Sequence, residues 1–169
     1  VLRYDNTFPR YSIARIKEED NQYIDHYTYL DGLGRKIVTI SKGENGGSKY
    51  IVNRFLYDNM GRNYRTEGPF YSNTLGEDQV APSDAPWQHT YYDDRGRPIR
   101  IETPATQGTV SSTIEYSGLS TTATDPDGAS KTSTKDYLGR LIQIIEYPET
   151  GPQATNYTYN AAGDLLSTT

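Results

Sequence analysis

His26 and His89 are the only imidazoles in the chain. A general base or a metal pair built on them would need a third ligand or an ordered acid partner. His89 sits in an alternating stretch ahead of a turn, where a surface or packing role accounts for it. Glu18-Glu19-Asp20 gathers three acids in a row, the pattern of a solvated loop. Asp125 and Asp127 with Gly128 share the opening of a calcium loop, but the later Glu of the EF-hand pattern is missing, and turn chemistry explains the three residues better. No Gly-x-Ser-x-Gly elbow and no phosphate-binding glycine loop occurs. The chain has no cysteine, which removes disulfide frameworks and thiolate metal sites. Its net charge of −5, from 17 basic and 22 acidic residues, disfavours a nucleic-acid partner, because phosphate binding needs clustered positive charge. These residues give no catalytic constellation, no metal site and no cofactor site, and the chain reads as a protein that is not an enzyme.

The tyrosines carry the remaining chemistry. There are 16 of them beside three Phe and one Trp, in a chain only 34% hydrophobic. Tyr rows on a sheet can bind sugars, or can pack across strands for about 0.2–1 kcal/mol per pair. Packing is the plainer account, since Tyr suits a pleated surface that is half wet.

The elements that position these residues are repeats. Asp/Asn-x-x-Gly, often followed by Arg, occurs at Asp31-Gly32-Leu33-Gly34-Arg35, Asp58-Asn59-Met60-Gly61-Arg62, Asp93-Asp94-Arg95-Gly96-Arg97 and Asp136-Tyr137-Leu138-Gly139-Arg140. Weaker copies are Asp125-Pro126-Asp127-Gly128, Asn160-Ala161-Ala162-Gly163 and Asn73-Thr74-Leu75-Gly76. Chance predicts about two such matches, from 22 Asp and Asn each followed three residues later by Gly with probability 15/169, so seven copies need a physical cause. A type I turn takes Asp or Asn at its first position and Gly at its fourth. A left-handed Gly after such a turn makes a hairpin connection with a bulge. The pattern therefore predicts positive φ at Gly34, Gly61, Gly96, Gly128, Gly139 and Gly163. The intervals between these glycines are 27, 35, 32, 11 and 24, too irregular for an exact solenoid.

The flanks agree. Tyr27-Thr28-Tyr29, Arg54-Phe55-Leu56-Tyr57, Thr90-Tyr91-Tyr92 and Tyr157-Thr158-Tyr159 precede turns; Ile-rich stretches such as Pro98-Ile99-Arg100-Ile101-Glu102 follow them. Period two marks strands with one buried face, so Ile99 and Ile101 are expected to face inward and Arg100 and Glu102 outward. About fourteen short strands and no helix are expected. Loops are expected at Gly43–Gly47, at residues 72–86 (the longest) and at Tyr147–Pro152. The polar segment from Arg15 to Gln22 reads as a hairpin loop. Residues 1–22 then form a partial N-terminal hairpin or repeat, and residues 23–169 one run of tandem hairpin repeats. The opening Val1-Leu2-Arg3-Tyr4 reads as mid-protein sequence with no signal peptide, and no stretch is long enough to span a membrane as a helix.

Tyr57-Asp58-x-x-Gly61-Arg62, Tyr92-Asp93-x-x-Gly96-Arg97, Thr124-Asp125-x-x-Gly128 and Tyr159-Asn160-x-x-Gly163 resemble the Rhs or YD-repeat family of bacterial Rhs proteins, insecticidal toxin complex B and C components and, more distantly, teneurins. There are departures: Leu30 precedes Asp31, Lys135 precedes Asp136, and the last copy has Asn160 for Asp and Asp164 for Arg. The resemblance implies an all-β fold of stacked antiparallel hairpins in a twisted, curved sheet, part of a shell that encloses or presents a C-terminal toxin or effector domain. It also implies secretion or display at a bacterial cell surface. The family's self-cleaving Asp-Pro-x-Gly-Leu pattern has no match, because Asp125-Pro126-Asp127-Gly128 is followed by Ala129. The expected partners are the remainder of the shell and the enclosed domain, with a glycan on exposed Tyr rows as the alternative. The repeat arginines are expected to pair with carboxylates or stack on Tyr rings. Raw sheet edges would also favour edge-mediated oligomers.

Overall fold

The computed structural model describes residues 2–5, 10–17, 23–43 and 49–169, all of them strand, turn or loop. The strands are β1 (Leu2–Asp5), β2 (Arg10–Lys17), β3 (Tyr23–Leu30), β4 (Lys36–Lys42), β5 (Tyr50–Tyr57), β6 (Asn63–Ser72), β7 (Trp87–Tyr92), β8 (Pro98–Pro104), β9 (Thr109–Ser117), β10 (Ser120–Thr124), β11 (Ser130–Lys135), β12 (Leu141–Glu146), β13 (Gln153–Tyr159) and β14 (Leu165–Thr168). Each strand is hydrogen-bonded to its neighbours in sequence. Pairing is antiparallel from β1 to β7 and from β8 to β14. The fold is all-β, built from local reversals, as short Tyr-, Thr- and Ile-rich strands between glycine turns require. Contacts divide the chain into two units, residues 1–89 and 90–169.

In the first unit, register places Tyr29 opposite Val38, Ile40 opposite Val52, and Val52 opposite Phe70 on one face. These residues are the buried core, with Ile40 only 1% and Val52 0% exposed. The covering layer is the loop 73–86. Ala85 is buried in the same cluster and Ala81 packs on it. Gln79 is buried within the loop and donates from Nε2 to the carbonyls of Thr74 (3.1 Å) and Gly76 (3.3 Å). Gly68 lets the loop close. Its φ is +117°, a Cβ there would stand 2.5 Å from the Val52 carbonyl oxygen, and its N–H donates to Pro86 O at 2.7 Å. Register shifts beside it, between Val52 and Arg54, so the close backbone approach is a bulge that only Gly fits.

Two expectations need correction in this unit. Asn73-Thr74-Leu75-Gly76 opens the covering loop and is not a hairpin tip; β6 and β7 pair only through Arg65, Thr66 and Glu67, because the intervening chain is used to cover the core. The segment expected as a loop from Arg15 to Gln22 is strand as far as Lys17. Its remainder, including Glu18-Glu19-Asp20, lies outside the described residues, as does most of the Gly43–Gly47 loop.

The second unit has no fully buried residue. Its strands are held sideways. Hydroxyl pairs bridge Ser120 to Thr134 (2.9 Å), Thr122 to Thr132 (2.9 Å) and Thr158 to Ser167 (2.7 Å), and the Gln143 amide donates to Asn156 Oδ1 (2.9 Å). The expected alternation of β8 is not seen: Ile99 is 38% exposed, and Ile101 is half-buried like Arg100 and Glu102. The cause is an aromatic partner: Arg100 stacks on the Tyr91 ring at 4.1 Å, and the Tyr91 hydroxyl donates to Glu102 at 2.7 Å.

Replacing Ile40 with Ala should cost about 2–5 kcal/mol in denaturant unfolding of the whole chain, because the site is closed by the sheet and the loop. Gly68→Ala should destabilise as well, with lost amide protection at position 68 and at Ala85 in hydrogen exchange marking release of the loop.

Candidate functional site

The recurrent unit is a turn that its own aspartate closes. At Asp31, Asp58, Asp93 and Asp136 the backbone N–H donates to the carbonyl of the residue four on, Arg35, Arg62, Arg97 and Arg140, at 2.8–2.9 Å, and the Gly N–H donates back to the Asp carbonyl at 2.9 Å. Each Asp Oδ1 accepts from the backbone N–H two and four residues later, all at 2.8–2.9 Å. Each Oδ2 accepts from the Arg Nε, at 2.6 Å for Arg35, 2.7 Å for Arg62, 2.8 Å for Arg97 and 2.7 Å for Arg140. The spacing makes this possible: only a left-handed residue before the Arg brings its N–H and side chain back over the carboxylate. Gly34, Gly61, Gly96, Gly128, Gly139 and Gly163 have φ between +78° and +94°.

The arginine then crosses to the next hairpin. Arg35 lies over the Tyr57 ring at 4.4 Å, Arg97 over Tyr116 at 4.1 Å and Arg140 over Tyr159 at 5.0 Å. Each of these tyrosines also donates its hydroxyl to the carbonyl of the residue after the arginine: Lys36 (2.8 Å), Pro98 (3.0 Å) and Leu141 (2.8 Å). A Tyr preceding one turn therefore braces the Arg of the turn before it. Tyr92 ends β7 directly before Asp93 and is half-buried.

Two copies depart in instructive ways. At Asn160 the side-chain donor and acceptor change places: Asn160 Nδ2 donates to Asp164 Oδ2, while the Asp164 N–H donates to Asn160 Oδ1, both at 2.9 Å. At Asp125 the turn closes through Oδ1 to the Asp127 and Ala129 N–H groups (3.0 and 2.8 Å), with Ala129 where the others carry Arg. Following the strands of the second unit end to end, the turns at 93–97, 136–140 and 160–164 lie at one edge of the sheet and the turn at 125–129 at the other. The reversal between β9 and β10 that belongs to the first edge is a two-residue turn with Gly118 at φ +58°. Sequence reading missed it and its Tyr116, since Tyr116-Ser117-Gly118-Leu119 has no Asp. A glycine between two Tyr/Thr runs was the available signal. With Gly118 in place of Gly128, the glycine intervals become 27, 35, 22, 21 and 24.

The clamped carboxylates titrate below the ordinary value of 3.8. Backbone hydrogen bonds from Arg62 and Arg97 are the largest cause at Asp58 and Asp93. At Asp31 and Asp136 desolvation is the largest effect and pushes upward, but the combined hydrogen bonds from Arg35 or Arg140 and from Leu33 or Leu138 outweigh it. His26 lies in β3, and His89 in β7 with its ring 5.3 Å from that of Tyr64. No group of metal-ligating side chains occurs among the described residues.

The family described as a domain of unknown function (DUF6443) matches residues 7–85, a span that stops where the covering loop ends. No curated protein matches the chain. Among solved structures, a chain of the Photorhabdus luminescens Tc holotoxin pore, in a mutant form, is similar with a TM-score of 0.70 and 18% identity, over 95% of this chain and 10% of that one. The present chain thus spans about a tenth of the length of its structural neighbour, and the likeness is one of fold. The resemblance to Rhs/YD repeats carried by the turns and the fold similarity to a Tc toxin point the same way.

Because the folded aspartates bind protons more weakly than unfolded ones, their contribution to stability is complete above the unfolded carboxylate pKa and is lost as pH falls through it toward the folded values. Stability measured by equilibrium unfolding should fall below about pH 4, and Asp58→Asn with Asp93→Asn should flatten that dependence. A double-mutant cycle of Arg97→Ala and Tyr116→Leu should return a coupling of about 0.5–1 kcal/mol; additive effects would show that the stack contributes nothing.

Proposed function

We propose that this chain is a structural wall segment of a bacterial Rhs/YD-type β-shell, secreted or displayed at the cell surface, that encloses or presents a C-terminal toxin or effector domain. In this reading Asp31, Asp58, Asp93 and Asp136, with their glycines, arginines and braced tyrosines, are structural; residues 23–169 are the continuous repeat run and residues 1–22 a partial hairpin at its start. The observation that supports this best is the second unit. A sheet of six or more strands with no buried residue, whose polar rungs and Asp–Arg–Tyr braces are satisfied within the sheet, suits a thin wall better than a free-standing globule, which would need a core. The similarity of fold to a Tc holotoxin chain supports the same reading.

The alternative, glycan binding by exposed Tyr rows, has less support. The faces of Tyr57, Tyr116 and Tyr159 that a sugar would stack on carry guanidinium groups, as do Tyr91 and Trp87.

The test uses the full-length polypeptide that contains this chain. Arg97→Ala combined with Arg140→Ala should expose the downstream domain to protease at concentrations that leave the parent protected; unchanged protection would count against an enclosing wall. Saturable glycan-array binding by the chain, abolished by Tyr147→Ala, would favour the alternative. The isolated chain should associate through its uncovered edges, and light scattering that gives only monomer at high concentration would remove that expectation.

A further inference from the structure

Four of the five aspartate turns fill the second carboxylate oxygen with an arginine from their own hairpin, and one does not. At Asp125 the fifth residue of the turn is the exposed Ala129, and no donor among the described residues reaches Oδ2. In the arginine-bearing copies the register sets the arginine opposite a tyrosine; here the pairing of Lys131 with Glu146 sets Ala129 opposite Pro148. Both large side chains of the recurring brace are therefore replaced by small ones. What stands in their place is a groove of about 560 Å³ lined by Asp125, Ala129, Lys131, Glu146, Tyr147 and Gln153, among others.

The chemistry of the groove is that of an acceptor for a cation. Asp125 and Glu146 supply two carboxylates against one ammonium, Lys131, which is already paired to Glu146 at 2.8 Å. Tyr147 is 44% exposed with no cation of the described residues over its ring, in contrast to Tyr57, Tyr116 and Tyr159. The groove is also larger than a guanidinium alone, and the Gln153 amide and neighbouring Ser112 and Ser130 offer hydrogen bonds suited to a main chain. We infer that this groove binds an arginine side chain presented by an extended segment of a partner polypeptide, the guanidinium occupying at Asp125 the position that the chain's own arginines fill at the other turns. An isolated exposed ion pair is weak, so affinity comes from the planar fork meeting a carboxylate already fixed by two backbone N–H groups, with the peptide laid along Tyr147 and Gln153. The inference stands on the internal comparison of turns and does not depend on the wall reading.

The experiment is a titration of the isotope-labelled chain with acetyl-Ala-Arg-Ala-amide, followed by amide chemical shifts. Saturable changes are expected at residues 125–131 and 146–153. The citrulline isostere, which keeps shape and loses charge, should bind at least about tenfold more weakly. Ala129→Arg should supply the cation in cis and remove the peptide response with melting unimpaired. Asp125→Asn keeps the turn, as Asn160 does, and should also remove it. No saturable change up to about 10 mM peptide, equal binding of the citrulline peptide, or full binding by a folded Ala129→Arg chain would each overturn the proposal. If Ala129→Arg does not fold, retention of binding by Asp125→Asn overturns it and loss supports it.

Discussion

A carboxylate that serves its own turn and its neighbour at once is what the rest of the sheet depends on. One oxygen of Asp31, Asp58, Asp93 or Asp136 ties down two backbone N–H groups of its turn, and the other fixes the arginine in the single orientation from which it can reach forward. Where that arginine covers a ring, the tyrosine hydroxyl also holds the adjacent carbonyl, so three interactions of modest strength act on one strand junction. Each alone would be a half-exposed pair of little consequence. Held in common geometry, they set register between hairpins where no hydrophobic layer can do so.

The two units answer the same shortage of apolar residues differently. In the first, a loop with Ala81, Pro82 and Ala85 folds back over Val52, Ile40 and Phe70, and a glycine bulge admits it. Burial there is ordinary, and it raises the pKa of the Tyr29 phenol, chiefly by desolvation and then by nearby Tyr11, Tyr27, Glu77 and Asp78. In the second, the same strand chemistry proceeds with no cover, and Thr–Thr and Ser–Thr rungs take the place of a core. Small hydroxylated side chains suit this, since they satisfy one another across a strand gap and lose little entropy on ordering.

Much of this was legible in the residues. Asp/Asn-x-x-Gly located six reversals because the turn demands those residue types, and the Tyr- and Ile-rich flanks placed the strands around them. The facing of Ile99 and Arg100 was not legible. Alternation tells which residues share a face but not which face meets a partner, and here the partner was Tyr91. The role of residues 73–86 escaped for a related reason: a stretch rich in Pro, Ser and Asp reads as a spacer, and its few alanines do not advertise burial. Tyr116 and Gly118 escaped because the two-residue turn between β9 and β10 works without the aspartate by which the others were found. The edge occupied by a turn was equally hidden, so Asp125 looked like its homologues until the strand order set it across the sheet.

That placement gives the second unit a mechanical bias. The stacks of Arg97 on Tyr116 and Arg140 on Tyr159 rivet strand junctions along one margin, while the opposite margin has surface pairs such as Lys131–Glu146 and the reversals alone. Under load across the strands, rupture starts at the unriveted margin and travels toward the other, so the sheet parts like a zip with one sewn end.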